Sequence, residues 1–509
     1  MPMLVAGLAT GLACAQTPRS VEPPDVHGRA IELGSRCLES TPSGLANVPL
    51  PADAHRAVLP GGLDAVVVAS PYAVRESLRI SLPRSAFASP SWARAVLLAW
   101  STGELAAEPE ALRRAMRAGG VSTRAGLAGD RGFLAFEFPA GRLDDAIAAL
   151  ARLFEATPIG DGPWAVLRPE LALLLMAEEL APTTAARRLR QAVEDGPEAA
   201  RAAGARAALD GLDPATLHAA LQRGLATPGV LVAYAAHAPS AADGFERLVA
   251  GLERAPGRSI RFAARDRAPR ASQASGEARA PDPTDPDPSD ATSTRDDRPI
   301  LHVLDQPGAR QVELLASRRT PGLDGAARAT LEMLASLLGD ATAGRLFEDL
   351  RQRQALAYEI GAVQAADHFE VRTRTRPERV AALVTGIEAH WVALGSVPLE
   401  PCEVALLHDR MRGALALEAD APSARLDALL EGFDREDALP TLAERADRYA
   451  AISREHLEWS ADALSATPPD WYLVGDAETL ADRLLRAFPE RVIRIHDAGL
   501  ERIRERAGR

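Results

Sequence analysis

The sequence predicts an α+β protein made of a duplicated unit, and three observations carry that reading. Residues 52–266 and 299–509 each open on an apolar strand. Each also closes on a strand followed by a helix, and a proline- and aspartate-rich stretch, 267–298, separates them. In the first segment the opening strand is Leu63-Asp64-Ala65-Val66-Val67-Val68, and the closing pair is Val230-Leu231-Val232-Ala233-Tyr234 with a helix from Ala241 to Leu252. In the second, Ile300-Leu301-His302-Val303-Leu304 opens, and Trp471-Tyr472-Leu473-Val474-Gly475 closes with a helix from Glu478 to Phe488. Between these ends helices dominate. Ala326 to Leu338 carries apolar residues at helical spacing, whereas Phe369-Glu370-Val371-Arg372-Thr373-Arg374-Thr375 alternates as a half-buried strand does. A pattern that repeats along the chain reads as two copies of one supersecondary unit. Each copy is expected to be a largely antiparallel sheet with helices packed on one face.

The separator contains Ala280-Pro281-Asp282-Pro283-Thr284-Asp285-Pro286-Asp287-Pro288-Ser289-Asp290. Such a segment buries too little apolar surface to offset its ordering entropy, so 267–298 reads as an acidic, semi-extended linker. Met1 to Ala15 is apolar and small, and Ala13-Cys14-Ala15 before Gln16 has the small-x-small form of a cleavage site. Residues 1–15 are therefore expected to be a signal peptide directing export to the periplasm, although no basic residue precedes the apolar run. In an alternative reading Cys14 is the lipid-bearing residue of an anchored protein. Residues 16–51 read as a tether. No other apolar run approaches the roughly 20 residues that span a bilayer, so no transmembrane segment is expected in the mature chain. Cys37 and Cys402 either form one disulfide in an oxidising compartment or remain two thiols.

Composition removes several function classes. The chain has no lysine, so all 58 basic residues are arginine and neither a Schiff-base lysine nor a phosphate-loop lysine exists. A formal net charge of -12, with no dense basic stripe, argues against nucleic acid as a partner. The sequence holds no G-x-S-x-G elbow, no G-x-x-x-x-G-K-[ST] loop and no C-x-x-C pair. His302, His368 and His390 are scattered and read as structural or surface residues. Arg502 to Arg509 alternates arginine with glutamate and reads as a solvated helix end.

The stretch that carries chemistry is Arg345-Leu346-Phe347-Glu348-Asp349-Leu350-Arg351-Gln352-Arg353-Gln354-Ala355-Leu356-Ala357-Tyr358, read as a helix end running into a strand. It sets Arg351 and Tyr358 seven residues apart. Alone, an arginine at a helix C-terminus complements the dipole, and a tyrosine at a strand start packs with its hydroxyl bonded locally. The flanking sequence adds Leu304-Asp305-Gln306-Pro307-Gly308-Ala309-Arg310-Gln311 and Leu337-Leu338-Gly339 upstream. Together these resemble the second-domain signature of the insulinase (pitrilysin) type zinc metallopeptidases. The resemblance covers residues 55–490, clear in the second segment and faint in the first, where Leu59-Pro60-Gly61-Gly62-Leu63 and Ala118-Gly119-Gly120 fit. It implies two metallopeptidase-like domains. It also implies that the Tyr358 hydroxyl donates to the oxyanion of a tetrahedral intermediate while Arg351 holds peptide backbone or carboxylate. Ala355 stands where the family has glycine.

The zinc motif of that family is an inverted H-x-x-E-H on a helix, histidines four apart binding the metal and glutamate activating water. The helix expected to carry it, Trp92 to Trp100, presents Ala95, Leu98 and Ala99 at the three positions. No two of the ten histidines lie within five residues of each other. Glu178 and Glu179, near the family's third ligand, are expected on a solvated helix face, and no zinc is expected in this chain. The resemblance then implies a homologous partner subunit that bears H-x-x-E-H and its zinc, to which this chain supplies Arg351 and Tyr358 in trans around an unfolded peptide. The alternative is a catalytically inactive scaffold that captures peptides by strand addition or supports assembly.

Overall fold

Alternating and continuous apolar runs fold into two sheets, one on each side of the predicted linker. The computed structural model describes residues 54–507 apart from 60–62, 107, 129–130, 155–157, 203, 228, 255–298, 366 and 434–441. The expected signal peptide, tether and linker, with Cys14 and Cys37, lie outside the described residues. The first sheet uses β1 (Ala54–Val58), β2 (Asp64–Ala69), β3 (Arg75–Pro83), β4 (Ser122–Ala128), β5 (Arg131–Pro139) and β6 (Leu231–Ala236), in the order β1-β2-β6-β3-β5-β4. The second uses β7 (Ile300–Asp305), β8 (Val312–Arg319), β9 (Glu359–Gln364), β10 (His368–Thr375), β11 (Asp470–Gly475), β12 (Val492–His496) and β13 (Arg502–Ala507), in the order β13-β12-β7-β11-β8-β10-β9.

The duplication is visible in the topology. The series β2-β6-β3-β5-β4 and β7-β11-β8-β10-β9 follow one another strand for strand, with β2–β6 and β7–β11 parallel in both. Apart from those two and β7–β12, every pairing is antiparallel. One face of each sheet packs on its own helices. Trp100 and Leu97 of the Pro90–Ser101 helix join Leu78, Ile80 and Phe136 in the first core. Leu334 and Leu338 of the Gly325–Gly339 helix join Leu314, Phe369 and Val371 in the second.

Each unit thus has its own helices on one face, as expected, and each sheet's other face is covered by a helix from the opposite unit. The Pro182–Asp195 helix lays Ala185, Ala186, Leu189 and Ala192 on Leu304, Leu315, Tyr472 and Val474 of the second sheet. The Pro422–Phe433 helix lays Leu426, Leu429 and Leu430 on Val68, Leu231, Ala233 and Ala235 of the first. Burial on both faces explains why Ala65, Val66, Val67 and Val68 are all fully buried and why β2 reads as an unbroken apolar run.

Polar groups fix these crossings. Arg79 is fully buried, pairs with Asp427 and donates from Nη2 to the Ser423 carbonyl at 2.9 Å, while Arg425 donates to the Ala69 carbonyl at 3.2 Å. On the second sheet, Glu370 is 1% exposed and receives Arg190, Arg372 and, at 3.6 Å, Arg187. Burial pushes the Glu370 carboxyl up, but Arg372, Arg190 and Arg187 outweigh it and hold the group below its ordinary value. Thr183 donates to Glu313 at 2.9 Å, and Glu194 meets His368 at 3.1 Å.

The C-terminal reading needs correction. Arg502–Ala507 is not a helix end but the antiparallel edge strand β13, paired to β12 after a turn in which Leu500 takes φ +67°. An edge strand with mostly solvated side chains tolerates charge at every position, so it leaves no apolar period for the sequence to show. Among the described residues no single helix is long and apolar enough to cross a membrane. Cys402 is disulfide-bonded, which decides between the two cysteine readings for that residue.

Candidate functional site

Arg351 sits in a π-helical turn, Phe347–Arg353, rather than at the end of an α-helix. The wider turn is closed by Gln354 N–H to the Asp349 carbonyl at 2.9 Å and Leu356 N–H to the Leu350 carbonyl at 2.7 Å. Between them Ala355 takes φ +51°, a left-handed conformation that costs an L-residue about 1–2 kcal/mol. This is the position at which the family resemblance calls for glycine. Ala355→Gly is therefore expected to raise stability by about 0.5–1 kcal/mol, relief of the Cβ strain exceeding glycine's added chain entropy. A denaturant midpoint that falls on this substitution would show the turn to be held otherwise.

Five ties hold the strained segment. Arg345 donates to both Glu403 carboxylate oxygens, each at 3.1 Å from Nη2, in a pair that is almost wholly buried. Leu350, fully buried, fits a notch opened by Gly386, where a Cβ would stand 2.5 Å from its Cδ2. Two residues before Arg351, Asp349 meets Nε2 of the buried His390 at 2.8 Å, and chiefly this bond lowers the Asp349 carboxyl below its ordinary range. Arg379 donates to the Ala355 carbonyl, and Thr375 to the Leu356 carbonyl at 2.5 Å. Strain that the surroundings over-determine in this way clusters at functional sites, as do π-turns.

The segment brings the two predicted residues together. The Arg351 guanidinium carbon lies 4.7 Å from the Phe347 ring centroid and 5.3 Å from that of Tyr358, a cation–π sandwich. Tyr358 is 79% exposed and precedes β9 by one residue. Neither its hydroxyl nor the Arg351 guanidinium has a hydrogen-bond or ion-pair partner among the described residues. Their donors face solvent, unlike the locally satisfied tyrosine that the bland reading describes. Next along the chain, Glu359–Val363 line a cleft of about 340 Å³ with Thr183, Glu313, Arg372 and Arg374, and β9 is the edge strand of its sheet.

Among its described residues the first unit holds no counterpart in metal chemistry. On the Pro90–Ser101 helix Ala95 and Ala99 are fully buried in the core, and Leu98 packs partly against it. None offers a ligating atom, so these residues do not fit zinc. Among the described residues no group of three or more His, Cys, Asp or Glu side chains is placed to hold a metal. Glu178 is exposed as expected and receives Arg94 of that helix at 2.5 Å. Glu179 is not on a solvated face: only 13% of its side chain is exposed, where it pairs with Arg188 and accepts the backbone N–H of Ala205. The long helix turns Glu179 toward the neighbouring Ala205–Asp210 helix, which it caps, and spacing alone does not reveal that contact.

Residues 270–404, a span that contains Arg351 and Tyr358, match the family model described as the peptidase M16 inactive domain. That span is similar to an M16 inactive domain. M16 is the insulinase-type family, so the match falls on the segment where the sequence resemblance is clear. The whole chain is similar in fold to the crystal structure of a peptidase M16 inactive domain from Pseudomonas fluorescens, at 14% identity and TM-score 0.61, covering 83% of this chain and 98% of that one. It is similar to the periplasmic protease PqqL from Escherichia coli at 12% identity and TM-score 0.58, covering 84% of this chain but 45% of that one. A chain of Complex III2 from Candida albicans is similar at 14% identity and TM-score 0.60, covering 86% and 99%. No curated protein matches the chain. The matched family is described as inactive, and the Pro90–Ser101 helix of the companion unit offers no ligating side chain at the three motif positions.

Proposed function

We propose that the chain is the non-metal subunit of an exported insulinase-type zinc metallopeptidase, supplying Arg351 and Tyr358 in trans to a homologous zinc-bearing partner for peptide hydrolysis. The observation that carries this reading is the pair itself: two solvent-facing donors, stacked on one another, on a strained turn held by five ties. A domain with no ligand of its own has no structural need for such a turn. In the proposed complex Tyr358 O–H donates to the oxyanion as the peptide carbon becomes tetrahedral, and Arg351 binds backbone carbonyl or carboxylate. Coverage supports a partner of similar size, because this chain spans about half of PqqL and the remainder of that chain leaves room for a second such unit. The similar chain in Complex III2 also belongs to a multi-subunit assembly. The apolar, small-residue composition of Met1 to Ala15 supports export. The test is a peptide-cleavage assay with this chain, a zinc-bearing H-x-x-E-H homologue, and both. Activity restricted to the mixture is expected, and full activity of the homologue alone would refute the reading.

A second reading has its own support. The edge strand β9, which lines the cleft, suits an extended peptide that adds as a strand, so an inactive peptide-binding scaffold is the alternative. Peptide binding without any gain in cleavage on mixing would favour it.

A further inference from the structure

His302 on β7 and His496 on β12 lie side by side on the face of the second sheet that receives the Pro182–Asp195 and Pro197–Ala202 helices of the first unit. His302 is 7% exposed and His496 6%, and His302 Nδ1 stands 3.0 Å from His496 Nε2. His496 Nδ1 faces the Leu500 carbonyl at 3.4 Å, and the Tyr472 ring stacks on His302 at 5.6 Å. The geometry has one consistent neutral arrangement: His496 Nδ1–H donates to Leu500, and His302 Nδ1–H donates to His496 Nε2. A proton added between the rings would set two N–H groups against each other. One added elsewhere on the pair would place a cation in the seam.

Little among the described residues compensates a cation there. From β12 and β13 the pair feels Arg494 and Arg502, both repulsive although each is itself paired with Glu505, against Asp497 of the turn. The other carboxylates of the packed elements are engaged: Glu501 by Arg201, and Glu194 by His368 and Arg190. Glu198 is exposed. Burial first, then His496 and these arginines, push the His302 ring down to about 3, and burial likewise lowers His496.

We propose that the His302–His496 pair is an acid-sensitive lock on the seam between the two units, closed while both rings are neutral and released when the pair takes up a proton. Release frees the Pro197–Ala202 helix and the β12–β13 hairpin that Arg201–Glu501 and the Ala200–Leu500 contact bring together. The sign is definite. A histidine whose folded value is depressed favours the closed seam above its ordinary value of 6.5 and loses that support as pH falls from there toward about 3. His368, at the other end of the seam, has the opposite sense. Burial lowers it, but the bonds to Glu194 and Asp367 outweigh this and raise it, so its support is complete below 6.5 and fades as pH rises through its elevated value. The seam thus holds one proton at His368 and refuses one at His302–His496, and it is firmest near neutral pH.

The test is amide hydrogen exchange of the full chain between pH 7.5 and 4.5, corrected for intrinsic rates. Opening at residues 197–202 and 492–507 is expected to rise more than tenfold and at most about 100-fold per pH unit below 6.5, because opening lets both depressed rings take a proton, while the Pro90–Ser101 helix stays flat. His302→Gln, neutral at every pH, should cut that slope to at most about tenfold, His496→Gln should cut it likewise, and the double variant should abolish it. A flat wild-type profile, or an unchanged slope in a folded glutamine variant, overturns the lock. If neither variant folds, ring-proton NMR of the wild type decides. Rings that stay neutral until the seam opens support the lock, and rings that titrate near 6.5 in the closed protein overturn it.

Discussion

Replacing Arg351 by alanine and Tyr358 by phenylalanine together is expected to lower peptide turnover by the reconstituted complex by about 100- to 1000-fold, the range for losing one preorganised oxyanion donor, without unfolding this chain. The fold should survive because Tyr358 is 79% exposed and Arg351 is partly exposed, with its guanidinium stacked on the Phe347 and Tyr358 rings. Tyr358→Phe alone keeps the ring that stacks on the guanidinium and removes only the O–H. It should therefore act on kcat, since the oxyanion exists only past the ground state, whereas Arg351→Ala should also raise KM. Activity unchanged in the double variant would sink the proposal that the pair completes an active site, and would favour the scaffold reading.

Glu370→Ala is expected to destabilise the chain by about 3–5 kcal/mol, the cost of removing one member of a buried charge network. Its carboxylate is 1% exposed and is shared by Arg187 and Arg190 of the first unit and Arg372 of the second. Deletion leaves guanidinium groups facing each other in the seam, and Arg190, with 15% of its side chain exposed, cannot escape easily to solvent. Denaturant unfolding measures the loss. In the cycle with Arg190→Ala the double variant should be less destabilised than the sum of the singles, because it removes part of the repulsion. Strictly additive losses would show that Arg190 and Glu370 do not act on one another.

These two expectations draw on opposite ends of what the sequence displays. The proximity of Arg351 and Tyr358 was legible because it is local: seven residues of spacing, a flanking Leu-Leu-Gly and a strand that alternates from Phe369 are all short-range signals. The duplication was legible from its apolar ends, and the matching strand orders bear it out. The exchange of helices between units was not legible. An amphipathic helix such as Pro182–Asp195 shows that Ala185, Leu189 and Ala192 are buried, but not which sheet buries them. Glu179 shows the same limit, since a carboxylate on a helix reads as solvated until the partner that caps on it is known. Arg502–Ala507 misled for a different reason: alternating arginine and glutamate fits a solvated helix and a charged edge strand alike, and only pairing to β12 separates them. Ala355 gave a partial signal. The resemblance marks the position as glycine, and the φ of +51° shows what the glycine would be for.

The proposal that this chain completes a zinc site it does not contain is tested most directly by purifying the tagged full chain from its native host under gentle conditions. Co-purifying proteins are then identified by mass spectrometry, and zinc in the complex is quantified. A stoichiometric partner with an H-x-x-E-H helix and about one zinc per pair is the predicted result. A lone chain or a self-dimer without metal would contradict it and leave the peptide-binding scaffold as the better account.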